Sequence, residues 1–215
     1  MRFLGAVLLL ICLASCGGMP EAGPPLQVSS LVMPAPAGVG PYCSSRPSAA
    51  AQKFWNALCV GGEAPTVVPL TPERWEEFAS IQHQVRAEII YGPAQSWDPL
   101  AAIGDCKTYA ARTALRLLED GWPAGALRIA TAFVNDGGPQ QGASHAVVLV
   151  DTDKGTIVLD SRQSGPQPWE ALDYIWLGAQ APGGHGRWNL LTTDVAQLRS
   201  ALLANLTWSR RKQAA

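Results

Sequence analysis

An α+β fold is predicted by three features of the sequence taken in chain order. Helical periodicity dominates residues 72–90 and 106–120, and β-forming segments follow at 127–134, 144–151 and 156–160. The turn-rich Asp151-Thr152-Asp153-Lys154-Gly155 joins the last two as a hairpin. Helices first and an antiparallel sheet afterwards is the order of segregated layers, not of alternating βα units.

Each element has a local cause. Residues 48–58 predict a short helix. The stronger helix at 72–90 opens with Thr71, which can cap the first turn, and Pro72, which suits the first helical position. Its apolar residues Trp75, Phe78, Ile81, Val85 and Ile89 recur at three- and four-residue steps and define one buried stripe. Tyr91-Gly92-Pro93 ends it. A loop carrying Trp97 leads to the next helix, which begins near Cys106 and stops before Gly121 and Pro123. Beyond Arg162 the pattern weakens into a Trp-rich stretch (Trp169, Trp176, Trp188), and a last helix is expected at 193–206.

The chain has 215 residues, 47% of them hydrophobic and 15% charged, with a formal net charge of −1, which is the composition of one globular domain with extensions. A near-neutral balance offers no basic face for nucleic acid, so that class of partner is excluded. Arg2 followed by the apolar run 3–13 reads as an export leader, too short to span a bilayer comfortably. The run ends in Leu13-Ala14-Ser15-Cys16, which resembles a bacterial lipobox with Cys16 as the lipidated first residue. An ordinary secretory signal cleaved near Ser15 or Gly17 is the alternative. Gly17 rather than aspartate after the cysteine points to an outer-membrane anchor. The expected organisation is a leader at 1–15, a lipid-anchored Pro/Gly-rich tether at 16–41, one folded domain at 42–208 and a basic tail at 209–215.

Export also sorts the cysteines. Cys12 and Cys16 belong to the leader, and in an oxidising compartment the remaining three divide into a Cys43–Cys59 disulfide and a free Cys106. No CxxC or histidine cluster accompanies them as a zinc site would require.

Cys106 lies in Gly104-Asp105-Cys106-Lys107-Thr108-Tyr109, at a helix start, where unpaired N–H groups and the positive end of the dipole favour thiolate. His145 opens the strand at 144–151, and Asp160 closes the strand at 156–160. If 151 pairs with 154 around a two-residue turn, 145 lies opposite 160; a four-residue turn makes them diagonal neighbours, and both put the side chains on one face. A three-residue turn without a bulge would separate them. In this constellation Cys106 is the candidate nucleophile, His145 its base and Asp160 the acid that fixes the imidazole tautomer. The Cys106 N–H is the natural oxyanion donor. His83, in mid-helix, and His185, in a Gly-rich loop, are weaker bases by context.

These segments resemble the bacterial transglutaminase-like cysteine peptidases, the LapG-type periplasmic proteases. The resemblance runs from about residue 81 to 188. It rests on Val85 and Tyr91, Gly104-Asp105-Cys106 with Tyr109-Ala110, Leu118 and Gly121, His145-Ala146-Val147-Val148-Leu149, and Val158-Leu159-Asp160. It implies a papain-like/transglutaminase core with a Cys-His-Asp triad. It further implies a protein substrate, a surface adhesin in the typical case, and control by a cyclic-di-GMP-responsive membrane receptor. Calcium is implied too, bound by the aspartate before the cysteine and an acid after it. Here Lys107-Thr108 stand where the family has an acidic pair, which leaves Asp105 as the one calcium candidate, so no cofactor is expected; Ser161 stands where the family tends to have Asn. The same triad can pass the acyl group to an amine, as a transglutaminase does. The non-enzymatic alternative is an envelope binding module on this scaffold.

Overall fold

The computed structural model describes residues 19, 21, 23–93, 96–181, 186–191 and 195–213. A seven-stranded sheet, flanked by helices, organises them. In chain order the elements are β1 (Val32–Met33), α1 (Val39–Ser44), α2 (Gln52–Trp55), α3 (Pro72–Glu88), β2 (Ile90–Tyr91), β3 (Ile103–Gly104), α4 (Cys106–Glu119), β4 (Leu127–Val134), β5 (Ser144–Thr152), β6 (Gly155–Leu159), β7 (Gln167–Pro168), β8 (Tyr174–Gln180), β9 (Trp188–Leu190) and α5 (Val195–Gln213). The sheet order is β1-β9-β8-β4-β5-β6-β7, antiparallel throughout, and β2 and β3 form a separate parallel pair. The fold is α+β, as the element order predicts.

Two apolar layers sandwich the sheet. On one face Ala146, Val148 and Val150 of β5, with Ile157 and Leu159 of β6, pack against Ala110, Ala111, Ala114 and Leu117 of α4 and Phe78, Ile81 and Val85 of α3. The alanines matter because small side chains let the helix axis approach the strands closely. On the other face Val147, Leu149 and Val158 meet Leu26, Leu172 and Trp176. Strands buried on both sides lose the apolar-polar alternation that marks a half-exposed strand. That is why 144–151 reads as a continuous apolar run.

Predicted and observed elements differ in instructive places. The expected short helix at 48–58 is present as a composite one, a 3₁₀ segment at Ala49–Ala51, then α2, then a π-helical turn at Asn56–Val60. Helix α3 starts as expected, with Thr71 Oγ1 accepting the Arg74 N–H at 3.3 Å, but ends at Glu88, and Ile90–Tyr91 turns into β2. The weak stretch after Arg162 contains β7, β8 and β9. Of these, β8 pairs directly with β4 in the middle of the sheet. The last helix does not stop at 206; it continues to Gln213 and absorbs most of the expected basic tail.

The segment expected as a loose tether is packed from Gly23 onward. The Gly23 N–H donates to Lys154 O at 3.1 Å, and the Leu26 N–H donates to Thr156 Oγ1 at 2.9 Å. Trp169 Nε1 donates to Pro24 O at 2.9 Å, and β1 pairs with β9. The cause is the second sheet face: its valines and leucines need a cover, and Leu26, 7% exposed, supplies one. Prolines limit the conformational entropy lost when such a strap is ordered. The leader and Cys16 lie outside the described residues. Among those described, no helix is long and apolar enough to cross a membrane.

Cys43 and Cys59 are bonded, with a Cα–Cα distance of 5.4 Å and a sequence separation of 16. The bridge ties α1 to the π-helical turn, beside α4. Replacing both cysteines with serine is expected to lower the unfolding free energy by about 2–4 kcal/mol, as loop closure of this length predicts. Urea denaturation of the double variant measures the loss.

Candidate active site

Three elements converge where β5 begins. The Asp105 carboxylate caps α4, its Oδ1 accepting the Lys107 N–H at 2.9 Å, which leaves Cys106 in the first turn. Gly104 precedes the cap because nothing larger fits: a Cβ there would lie 2.2 Å from Thr108 Oγ1. Arg112, one face down the helix, donates from Nε to Pro99 O at 2.7 Å and from a terminal nitrogen to Ala101 O at 2.8 Å. The helix therefore grips the loop that feeds its own first turn.

Hairpin register supplies the other two groups. Asp151 pairs with Thr156 and Thr152 with Gly155, so the register is that of the four-residue alternative, closed by one further pair to a turn at Asp153-Lys154. This register makes His145 and Asp160 diagonal neighbours on the face shared with Val147, Leu149 and Val158. His145 Nε2 and Asp160 Oδ1 are 2.6 Å apart. The Cys106 side chain, at the tip of α4, acts on the same imidazole and helps to raise its pKa. With Nε2 committed to Asp160, Nδ1 is the ring nitrogen left for the thiol. Cys106, His145 and Asp160 are 8%, 6% and 0% exposed.

Several groups that sequence reasoning missed hold this set in place. The Asp160 carboxylate accepts the Tyr174 hydroxyl at Oδ2 and the Arg162 N–H at Oδ1, the latter at 2.8 Å. The Tyr174 ring stands edge-on to the imidazole, with centroids 5.7 Å apart. Gln82, buried on α3, donates from Nε2 to Asp160 O at 2.8 Å and to Gln163 O at 3.0 Å, and its own carbonyl accepts the Tyr109 hydroxyl at 2.8 Å. Tyr174 sits in a stretch with little period, and Gln82 interrupts an apolar helix face, so only the second carried a readable signal: a polar residue inside a buried stripe.

Electrostatics follow from these bonds. Burial works to lower the His145 pKa, but hydrogen bonds and charge from Asp160 and Cys106 outweigh it and carry the value up to about 9. For Asp160, burial works to raise the pKa; the His145 bond and charge, the Arg162 N–H and the Tyr174 hydroxyl prevail and hold it below the ordinary carboxylate value. Burial foremost, then the Asp160 charge, pushes the Tyr174 phenol above its usual range, so it stays a donor.

The set opens onto a cleft of about 700 Å³. Tyr91, Gly92 and Pro93 line it on one side, and Gln140 with Trp208 and Arg211 of α5 line it as well. Such an arrangement, a thiol at a helix start next to an oriented imidazole beside a cleft, is suited to nucleophilic attack on a carbonyl carbon. His83 is exposed on α3 and takes no part, and His185 lies outside the described residues.

The calcium implied by resemblance does not fit these residues. Asp105 Oδ2 contacts the Lys107 ammonium at 2.5 Å, so a divalent ion at that carboxylate would meet a positive charge. Calcium takes six to eight oxygen ligands, roughly. Among the described residues, no group of three or more His, Cys, Asp or Glu side chains is gathered that could hold a metal ion.

Two outcomes are expected. Tyr174→Phe leaves the buried carboxylate one donor short and should cost about 1–3 kcal/mol of stability, read by urea denaturation. The raised His145 pKa favours the protonated form in the folded state. Its contribution is therefore complete below the unfolded value near 6.5 and is lost as pH rises through about 9. Unfolding free energy measured across that window should decline, and the decline should flatten in His145→Gln.

Comparison with known proteins gives the following. Residues 32–195 match the family described as bacterial transglutaminase-like cysteine proteinase (BTLCP). No curated protein matches the chain. Among solved structures, LapG of Legionella pneumophila is similar at 17% identity over 79% of this chain and 95% of that one, with a TM-score of 0.45. Its calcium-bound form gives 15%, 76%, 95% and 0.44, and its EGTA-treated form 16%, 76%, 93% and 0.44. The family match spans most of the sequence, including the helix start, the hairpin and every residue of the converging set. The chain belongs to the bacterial transglutaminase-like cysteine proteinases and is a transglutaminase-like cysteine peptidase.

Proposed function

We propose that this peptidase is an exported lipoprotein, anchored at Cys16 to the outer membrane, that hydrolyses a protein substrate with Cys106, His145 and Asp160 as its catalytic triad. The supporting observation is the buried imidazole–carboxylate hydrogen bond with the Cys106 thiol acting on the same ring, where Cys106 and His145 line a cleft. In the first half-reaction Cys106 Sγ forms a bond to the scissile carbonyl carbon while His145 takes the thiol proton. The carbonyl oxygen becomes an oxyanion, for which the Cys106 N–H at the helix start is the donor. On collapse the C–N bond breaks, and His145 returns the proton to the leaving amine. The product is a thioester on Cys106. In the second half-reaction water adds to that carbon as His145 removes its proton, the C–S bond breaks, and the acid product leaves with the thiol restored.

A surface adhesin is the substrate we assign and a cyclic-di-GMP-responsive membrane receptor the partner. Both rest on the family resemblance and on the leader.

Labelling with iodoacetamide near neutral pH tests the nucleophile. Stoichiometric modification of Cys106 in the wild type, slowed by about 10²-fold or more in His145→Ala, is the expected result. Wild-type reactivity no faster than that of a free thiol would remove the catalytic reading.

A further inference from the structure

The Asp105–Lys107 pair is a feature of the site that the hydrolytic mechanism leaves unused. Asp105 lines the cleft next to Cys106, and both of its oxygens are committed within its own turn. Oδ1 caps the Lys107 N–H at 2.9 Å and Oδ2 holds the Lys107 Nζ at 2.5 Å. The side chains are only 24% and 21% exposed for lysine and aspartate, so the contact is partly shielded from solvent.

Such a carboxylate poses a problem for the neighbouring residue. Negative charge develops on Cys106 sulfur and on the carbonyl oxygen during attack, one residue from Asp105. A bare carboxylate there opposes both. A cation at the carboxylate removes the opposition while leaving the cap in place. Lys107 provides one from the same helical turn, and its charge equals and offsets that of the aspartate.

We infer that the Lys107 ammonium is the built-in counter-cation of Asp105, so that the nucleophile's helix is assembled and the site charge-balanced without a metal ion. Lys107 is thus a positioning residue, and the inference rests on Cys106 being the nucleophile. A tethered charge does not depend on mass action: an exchangeable ion stabilises the folded state only as its free concentration exceeds its dissociation constant, whereas a lysine is always present. The peptidase should therefore be indifferent to chelators.

The test uses the full chain. Wild-type protein in excess EGTA and in calcium chloride should show the same melting temperature, the same Cys106 alkylation rate within about twofold, and no heat of binding on calorimetric titration with calcium chloride. Lys107→Met should slow alkylation by about three- to fivefold, the range of a partly exposed charge pair, and Lys107→Arg should restore most of the rate. Restoration by arginine is what a merely space-filling role of lysine would not give. Calcium binding by the wild type with loss of alkylation in EGTA would overturn the inference, as would a Lys107→Met rate equal to that of wild type. Slow alkylation in every variant counts against the nucleophile instead, and the melting and calorimetric measurements still decide whether a metal is required.

Discussion

A carboxylate with no solvent exposure is the constraint around which this molecule is arranged. Burying the charge of Asp160 is costly unless it is fully hydrogen-bonded. Its donors come from separate parts of the chain: the imidazole on β5, the hydroxyl on β8, and the backbone of the loop that follows Asp160 itself. Satisfying one side chain therefore fixes the spacing of two strands that flank β4 on opposite sides. The backbone carbonyl of the same residue is held by Gln82, and Gln82 by Tyr109, so the restraint extends through α3 to α4. The helix that carries the thiol and the hairpin that carries the imidazole are thus registered against each other by bonds that do not include the sulfur. Cys106 can change its bonding during a reaction while its surroundings stay in place.

Close packing adds the remaining precision. Ala110, Ala111 and Ala114 let α4 approach β5, and the first turn of the helix sits directly over Gly104. Arg112 pins the incoming loop at Pro99 and Ala101. Movement of Cys106 along the helix axis would have to break the cap, the arginine clamp and the alanine contacts together. The tip of a well-packed helix holds the proposed nucleophile more firmly than a loop would for this reason.

The parts of the fold and site legible in the sequence were those with local causes. Thr71-Pro72, the stripe on α3, Gly121 after α4 and the Asp153-Lys154 turn each act over a few residues, and each is where the pattern puts it. Hairpin parity brought His145 and Asp160 to one face because parity survives a shift of turn by two residues. Long-range causes were not legible. Strand β8 exists because β4 has two edges to satisfy, and β4 lies 40 or so residues earlier. The strap at 23–41 lacks periodicity because it serves as a cover for one sheet face, ordered through backbone bonds that composition does not reveal. Tyr174 belongs to the same class: it donates to Asp160 because β8 is where it is, and no spacing in the sequence announces that.

The opposed pKa directions of the central pair bear on chemistry as well as stability. Asp160 is held below its ordinary value and His145 is carried up to about 9, so the carboxylate keeps its charge and the imidazole is strengthened as a base at Nδ1. In the proposed triad, a ring that has taken the thiol proton is stabilised beside that carboxylate and holds the proton for the departing amine. Nε2 stays bound to Asp160 throughout, so proton traffic is confined to Nδ1, on the cleft side. In the proposed triad Asp160 need not accept that proton. Its charge sets the state of the ring and its geometry sets which nitrogen faces the sulfur. The requirement for full satisfaction of that charge, in turn, is what β8, α3 and the hairpin are positioned to meet.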